Sequence, residues 1–183
     1  MSADIQAAKL QQAIDKMEIL DALARYARGC DRVAPEVMVS AYHEDSWDYH
    51  GSFQGTGREM SYDEKRRSPD NVIVHHALCQ SLIELDGDVA RVETYYIASG
   101  LRNYPDGTKV HRIYGRYLDR FERRDGEWRI AVRRAVVDFS QEEPAGHPWP
   151  PESNYDRGRR WPDDLVFHFD EAVRSPSESV SSS

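Results

Sequence analysis

The chain has 183 residues, 39% of them hydrophobic and 31% charged, with a net charge of -8. That balance fits one folded domain with a sizeable core and argues against a disordered chain. It also argues against nucleic acid, whose phosphates call for a basic face. Arg66, Arg67 and the cluster Arg157-Gly-Arg-Arg160 read as solvated patches in an acidic chain. With two cysteines, Cys30 and Cys79, there is neither a disulfide framework nor a zinc spacing, so no metal is expected. Both cysteines read as small packing residues. The first residues, Met1-Ser-Ala-Asp-Ile5, have neither a basic stretch nor an apolar one, and no apolar run approaches the ~20 residues that cross a bilayer. The expectation is a cytoplasmic protein with no membrane contact.

The chain opens with a helix from about Asp4 to Asp31. Ile14, Met17, Leu20, Leu23 and Ala27 recur at helical spacing, preceded by Ile5 and Leu10. Pro35 can start a short second helix reaching Tyr42. Trp47 to Phe53 reads as a short strand, and Ser61 to Arg67 as a third helix stopped by Pro69. A meander follows: strands over Val72 to Leu85, Val89 to Gly100, Val110 to Arg123 and Trp128 to Phe139. Their turns are Asp86-Gly87-Asp88, Pro105-Asp106-Gly107 and Asp125-Gly126, where glycine supplies the positive φ of tight hairpins. Helices first and long antiparallel strands after them make an α+β pattern. A curved antiparallel sheet wrapped around the long N-terminal helix would enclose an apolar pocket. From Glu142 to Pro151 the prolines remove ladder donors, which places a boundary between a domain over 1–141 and an extension over 142–183. Trp149, Trp161, Phe167 and Phe169 suggest that part of the extension packs, and Ser175 to Ser183 read as a disordered end.

Three residues far apart in sequence can carry chemistry together. Asp31 ends the first helix, where the dipole disfavours a carboxylate and a compensating partner is needed. His76 lies in Val72-Ile-Val-His-His-Ala-Leu-Cys-Gln80, where alternation groups it with Val72, Val74, Leu78, Gln80 and Leu82. A hydrogen-bonded core or surface histidine is the simpler reading of that spacing alone. Arg134 shares a strand face with Trp128, Ile130, Val132 and Val136, so it is expected to be buried and in need of a partner or ligand. Glu93, Asp119 or Asp138 would serve as a purely structural partner. Arg133 falls on the opposite face with Arg129 and reads as solvated. Aromatic side chains at Trp47, Tyr49, Tyr96 and Tyr117, mostly core, can also present hydroxyls or ring faces to a pocket.

Three segments carry a family resemblance: Leu23-Ala-Arg-Tyr-Ala-Arg-Gly-Cys-Asp31, His76-Ala-Leu-Cys-Gln80 with Ile83-Glu-Leu-Asp-Gly-Asp88, and Gly115-Arg-Tyr-Leu-Asp-Arg-Phe-Glu-Arg-Arg-Asp-Gly-Glu-Trp-Arg-Ile130. Over roughly 14–139 the chain resembles the SnoaL-like branch of the nuclear transport factor 2-like superfamily. The resemblance implies a cone of one curved sheet and packed helices. It further implies cofactor-independent elimination by an aspartate–histidine pair, which falls on Asp31 and His76. Tyr26 is similar to a tyrosine of bile acid 7α-dehydratase, and Arg134 to an arginine of hexachlorocyclohexane dehydrochlorinase. His111 or Tyr96 would supply the polar group that some relatives place near Ala98-Ser-Gly100.

The expected activity is a lyase acting on a small aromatic or polycyclic apolar substrate and releasing water or formaldehyde. The catalytic candidates are His76, Asp31, Arg134 and Tyr26; the substrate-binding candidates are Trp47, Tyr49, Tyr96, His111 and Tyr117. The alternatives are a ketosteroid-isomerase-like proton shuttle, a ligand-binding module, and a scaffold subunit like the small subunits of ring-hydroxylating dioxygenases. By resemblance the chain forms a homo-oligomer, a dimer or trimer.

Overall fold

A computed structural model describes residues 3–146 and 155–173. The expectations for Trp149 and for Ser175 to Ser183 lie outside the described residues. Helix α1, Ala3–Asp31, is followed by α2, Pro35–Val39, then strands β1, Tyr42–His50, and β2, Phe53–Gly55. Helix α3, Gly57–Tyr62, runs into a 3₁₀ turn over Glu64–Arg67. Four long strands follow: β3, Asn71–Asp86; β4, Val89–Tyr104; β5, Gly107–Arg124; and β6, Glu127–Pro144. The six strands form one open sheet in the order β2-β1-β6-β5-β4-β3. The meander is antiparallel as expected, but β1 runs parallel to β6, so the sheet is mixed. No helix among the described residues is long and apolar enough to cross a membrane.

Helix α1 buries Ile19, Ala22, Leu23, Tyr26, Ala27 and Cys30, a stripe at i, i+3, i+4 and i+7 that packs on the sheet. The periodicity put Ile14, Met17 and Leu20 on that face, yet they are exposed. The helix carries two apolar stripes, and contact with the sheet selects the second. Gly29 is required where α1 meets α2, because a Cβ there would lie 2.4 Å from the backbone nitrogen of Met38. The helix ends with Val33 in the left-handed region, φ 51°. The Ala34 N–H reaches the Gly29 carbonyl at 2.9 Å and the Val33 N–H reaches that of Cys30 at 3.3 Å, a Schellman closure. A β-branched residue is strained in this position, which glycine normally fills.

Bulges decide which side chains face the core. Phe121 pairs with Ile130 and Arg120 with Val132, which leaves Ala131 as an extra residue in β6. Before the bulge Trp128 and Ile130 point inward; after it Ala131 and Arg133 do. A second slip, between Tyr114 and Gly115, leaves Asp138 over. In β3 the register slips again between Leu78 and Ser81, so Ser81 and Ile83 turn inward while Leu82 and Cys79 are exposed. The expected packing role of Cys79 is thereby corrected, whereas Cys30 is buried with its Sγ 3.6 Å from Met38 Sδ. Strand β6 also continues past residue 141. Glu142 and Glu143 precede the first proline and pair with His111 and Val110, so the strand crosses the expected domain boundary.

Candidate functional site

Asp31 and His76 meet at the C-terminus of α1. The Nδ1–H of His76 donates to Asp31 Oδ1 over 2.6 Å, and the His76 backbone N–H reaches both carboxylate oxygens at 3.0 Å. A carboxylate has only acceptors, so this contact places a ring proton on Nδ1, and in the neutral ring Nε2 is then the nitrogen that carries the lone pair. Three donor contacts offset the unfavourable end of the helix dipole. Nε2 makes no hydrogen bond among the described residues. His75, on the opposite face of β3, approaches Asp31 only to 3.9 Å and is exposed.

Behind this pair lies a closed aromatic core. The Tyr26 ring stands edge-on to His76 at 6.3 Å and to Tyr117 at 5.5 Å, and Tyr117 stacks on Tyr96 at 4.2 Å. Tyr26, Tyr96 and Tyr117 are buried, and burial raises the pKa of each phenol above its ordinary value. Tyr26 reaches the neighbourhood of His76 although α1 stays helical through Asp31.

The expectation for the arginine is reversed. Arg133, not Arg134, is fully buried, its guanidinium forked onto Asp119 at 2.8 and 2.7 Å and placed over the Tyr26 and Tyr117 rings at 4.0 and 4.1 Å. Burial works against its charge, but Asp119 and the surrounding tyrosines outweigh that and hold its pKa well above the ordinary value. Arg134 lies on the outer face, 4.1 Å above the Tyr49 ring. The cause is the Ala131 bulge, which inverts the alternation before either arginine is reached.

Trp47 and Tyr49 are also on the outer face, because the inward residues of β1 are Ser46, Asp48 and His50. Alternation could not say which set faces inward, and their aromatic character suggested the wrong one. His111 accepts or donates at Tyr104 Oη, 2.6 Å away, and pairs with Glu142 at 3.2 Å, lining a groove beside the cavity and not the cavity itself.

The cavity next to the Asp31–His76 pair has a volume of about 470 Å³. Asp31, Val33, His50, Phe53, Arg66 and Val74 are on its wall. His76 is about nine-tenths covered (side-chain exposure 9%) and does not line the open volume; Val74, two residues before it on the same strand face, does. The cations on this wall are Lys65, Arg160 and Arg66, the last of which was expected on the solvated surface. Arg66 Nε donates to the Met60 carbonyl at 3.0 Å, and Nη1 lies 3.6 Å from Cys30 Sγ.

A second carboxylate–imidazole pair escaped the sequence analysis. His50 Nδ1 lies 3.6 Å from Asp48 Oδ1, and the Tyr42 hydroxyl donates to Asp48 Oδ2 at 2.6 Å. Burial pushes the Asp48 carboxyl up, but His50, Arg133 and Tyr42 outweigh it and hold it below the usual range. The facing atoms Asp48 Oδ1 and His50 Nδ1 are buried without a hydrogen bond, as is Arg133 Nη1. The available signal was the spacing Asp48-x-His50, which puts both on one face of a strand. No group of metal-ligating side chains occurs among the described residues.

A long helix laid on an open sheet, with a cavity at the helix C-terminus, defines an α+β cone of the nuclear transport factor 2-like class. The profile of the SnoaL-like domain matches residues 11–134, and the chain belongs to that family. Among solved structures it is similar to hexachlorocyclohexane dehydrochlorinase LinA-type3 from Novosphingobium barchaimii, at 20% identity and a TM-score of 0.67, covering 78% of this chain and 99% of that one. It is also similar to a protein from Novosphingobium aromaticivorans with the provisional name scytalone dehydratase, at 18% identity, TM-score 0.61, and 79% and 97% coverage. A protein of unknown function from Mycobacterium tuberculosis matches at 27% identity, TM-score 0.59, and 70% and 74% coverage. No curated protein matches the chain. At these identities the first two likenesses establish the fold.

Proposed function

We propose that this protein is a cofactor-independent lyase in which His76 is the general base and Asp31 orients and stabilises it. The observation that carries the reading is the 2.6 Å contact from His76 Nδ1 to Asp31 beside a cavity of substrate size. Nε2 takes a proton from carbon next to a ketone, and the C–H electron pair becomes an enolate. Its collapse forms a carbon–carbon double bond as the β-substituent leaves with its bonding pair. Asp31 stabilises the imidazolium that forms, the logic of any carboxylate–histidine pair. His50, on the cavity wall and backed by Asp48, supplies a proton to the departing oxygen when it enters the cycle protonated. If Nε2 instead takes the proton of a β-hydroxyl, the bond between the α- and β-carbons breaks, formaldehyde departs, and the enolate of the shortened ketone takes the proton back at carbon.

The test is turnover of β-hydroxypropiophenone. Loss of water gives phenyl vinyl ketone, and loss of formaldehyde gives acetophenone, so one substrate distinguishes the two leaving groups. We expect one of these products, with His76→Ala reducing turnover by ~10²–10⁴-fold. Near-normal turnover in a folded His76→Ala protein would sink the assignment. The second carboxylate–imidazole pair also favours a proton-shuttle isomerase as the alternative, and an unsaturated ketone whose double bond migrates without release of any fragment would identify it.

A further inference from the structure

Cations around the cavity lack the carboxylates that many arginines find elsewhere in this chain. Arg25 pairs with Asp21 at 3.0 Å, Arg116 with Glu93 at 2.9 Å, Arg123 with Asp15 at 2.9 Å and Arg133 with Asp119 at 2.7 Å. With a net charge of -8, carboxylates are abundant. Yet Lys65, Arg66 and Arg160 line the cavity, and none of the three has a carboxylate partner among the described residues. Arg160 is spent on the backbone carbonyls of Arg67, Ser68 and Asn71. Arg66 gives only Nε to a carbonyl, and its Nη1 faces no stronger acceptor than a thiol.

The two carboxylates on the same wall are committed elsewhere. Asp31 holds His76, and Asp63 accepts the backbone N–H of Lys65 at 3.0 Å. The rest of the wall includes Val33, Phe53, Met60 and Val74, which offer an apolar bed. A guanidinium that is partly covered and lacks an anion is an incomplete interaction, since charge-assisted forks to carboxylate are the contacts arginine is shaped for.

We propose that the cavity binds a small aromatic monocarboxylate, with its carboxylate on Arg66 and its ring on the apolar bed. Arg66 approaches Cys30, the residue before Asp31, so a ligand anchored there lies alongside the Asp31–His76 pair. Lys65 adds positive potential at the wall. The inference deepens the lyase reading by naming the substrate class and rests on that reading only for its catalytic consequence. The cavity volume of about 470 Å³ suits a body of one or two rings.

The test is binding without turnover. Naphthoate and its neutral isostere naphthamide are titrated by calorimetry into the full chain at low ionic strength, then into Arg66→Met. The expected result is a preference for the acid of about tenfold or more in the wild-type protein, a gain of the size a charged hydrogen bond supplies. Arg66→Met should abolish that preference, bringing the affinities for the acid and the amide together. Equal affinity for acid and amide in the wild-type protein would overturn the proposal, and that comparison needs no variant to fold. So would a folded Arg66→Met protein that keeps the preference, or tighter binding of naphthyl phosphate than of naphthoate. Because no chemistry is read out, failure here leaves a lyase of neutral substrates standing. Conversely, an inactive protein that binds naphthoate through Arg66 would contradict the lyase reading alone.

Discussion

Two carboxylates near Tyr26 make short contacts to a basic side chain, Asp119 to Arg133 and Asp31 to His76, and the two pairs are built differently. Asp119 and Arg133 meet at 2.7–2.8 Å on β5 and β6, both fully enclosed, with tyrosine faces over the guanidinium. Asp31 and His76 meet at 2.6 Å where α1 ends against β3, beside open volume. The first pair is enclosed by core on every side, although one nitrogen, Nη1, is left without a partner. The second keeps a ring nitrogen in reserve. A short contact to a carboxylate is thus no sign of chemistry by itself. What separates the two is open volume, since Asp31 lines the cavity and neither Asp119 nor Arg133 does.

The sharpest way to break the comparison is to disable each pair in turn. Asp31→Asn should cost activity by ~10²–10⁴-fold, as for loss of the base itself, while the protein still folds, which a melting curve and a turnover assay check together. Arg133→Met should do the opposite kind of damage. It strands the Asp119 carboxylate in the core, and breaking a buried pair from one side costs about 3–5 kcal/mol, measurable by urea denaturation. Its neighbour Arg134→Ala should cost only about 0.5–1 kcal/mol, the value of an exposed cation over an aromatic ring.

Acid should attack the core through Asp48. Its folded-state pKa is depressed, so its contribution is present above the ordinary carboxylate value of about 3.9 and is lost as pH falls through the lower folded value. Melting temperature against pH should therefore drop in that range, and more steeply in the wild-type protein than in Asp48→Asn. Alkali acts with the other sign. Tyr26, Tyr42, Tyr96 and Tyr117 have raised pKa values, first through burial. Their stabilising effect is whole below the unfolded tyrosine value of about 10 and fades as pH climbs through the folded values. Absorbance titration should show those phenols ionising only as the protein unfolds. The smallest effect is expected at Val33→Gly, which relieves a left-handed β-branched residue and should raise stability by about 1 kcal/mol, less the entropy glycine adds to the unfolded chain.

The order of elements, except that β1 and β2 read as one strand over 47–53, and the Asp31–His76 contact were readable from sequence because each depends on local pattern or on family resemblance. Strand alternation was readable only up to the first bulge. Counting outward from the Asp125-Gly126 turn gives the right partners as far as Phe121 and Ile130. Ala131 then adds one residue, and every inward assignment from there to the second slip at Asp138 changes side. Nothing in Ile130-Ala-Val-Arg-Arg134 announces that insertion, since an alanine fits either face. Arg66 was illegible for another reason. Its position depends on how the 3₁₀ turn packs against the end of α1, a tertiary fact that a run of charged residues, Glu64-Lys-Arg-Arg67, conceals.

If His76 removes a proton from carbon, hydrogen–deuterium exchange measures this without any leaving group. Propiophenone in D₂O exchanges its α-protons slowly, and proton NMR follows their loss. The wild-type protein should accelerate exchange, and His76→Ala and Asp31→Asn should each lose about 10²–10⁴-fold of that acceleration. Exchange no faster than buffer, or equally fast in folded His76→Ala, would contradict this role of His76.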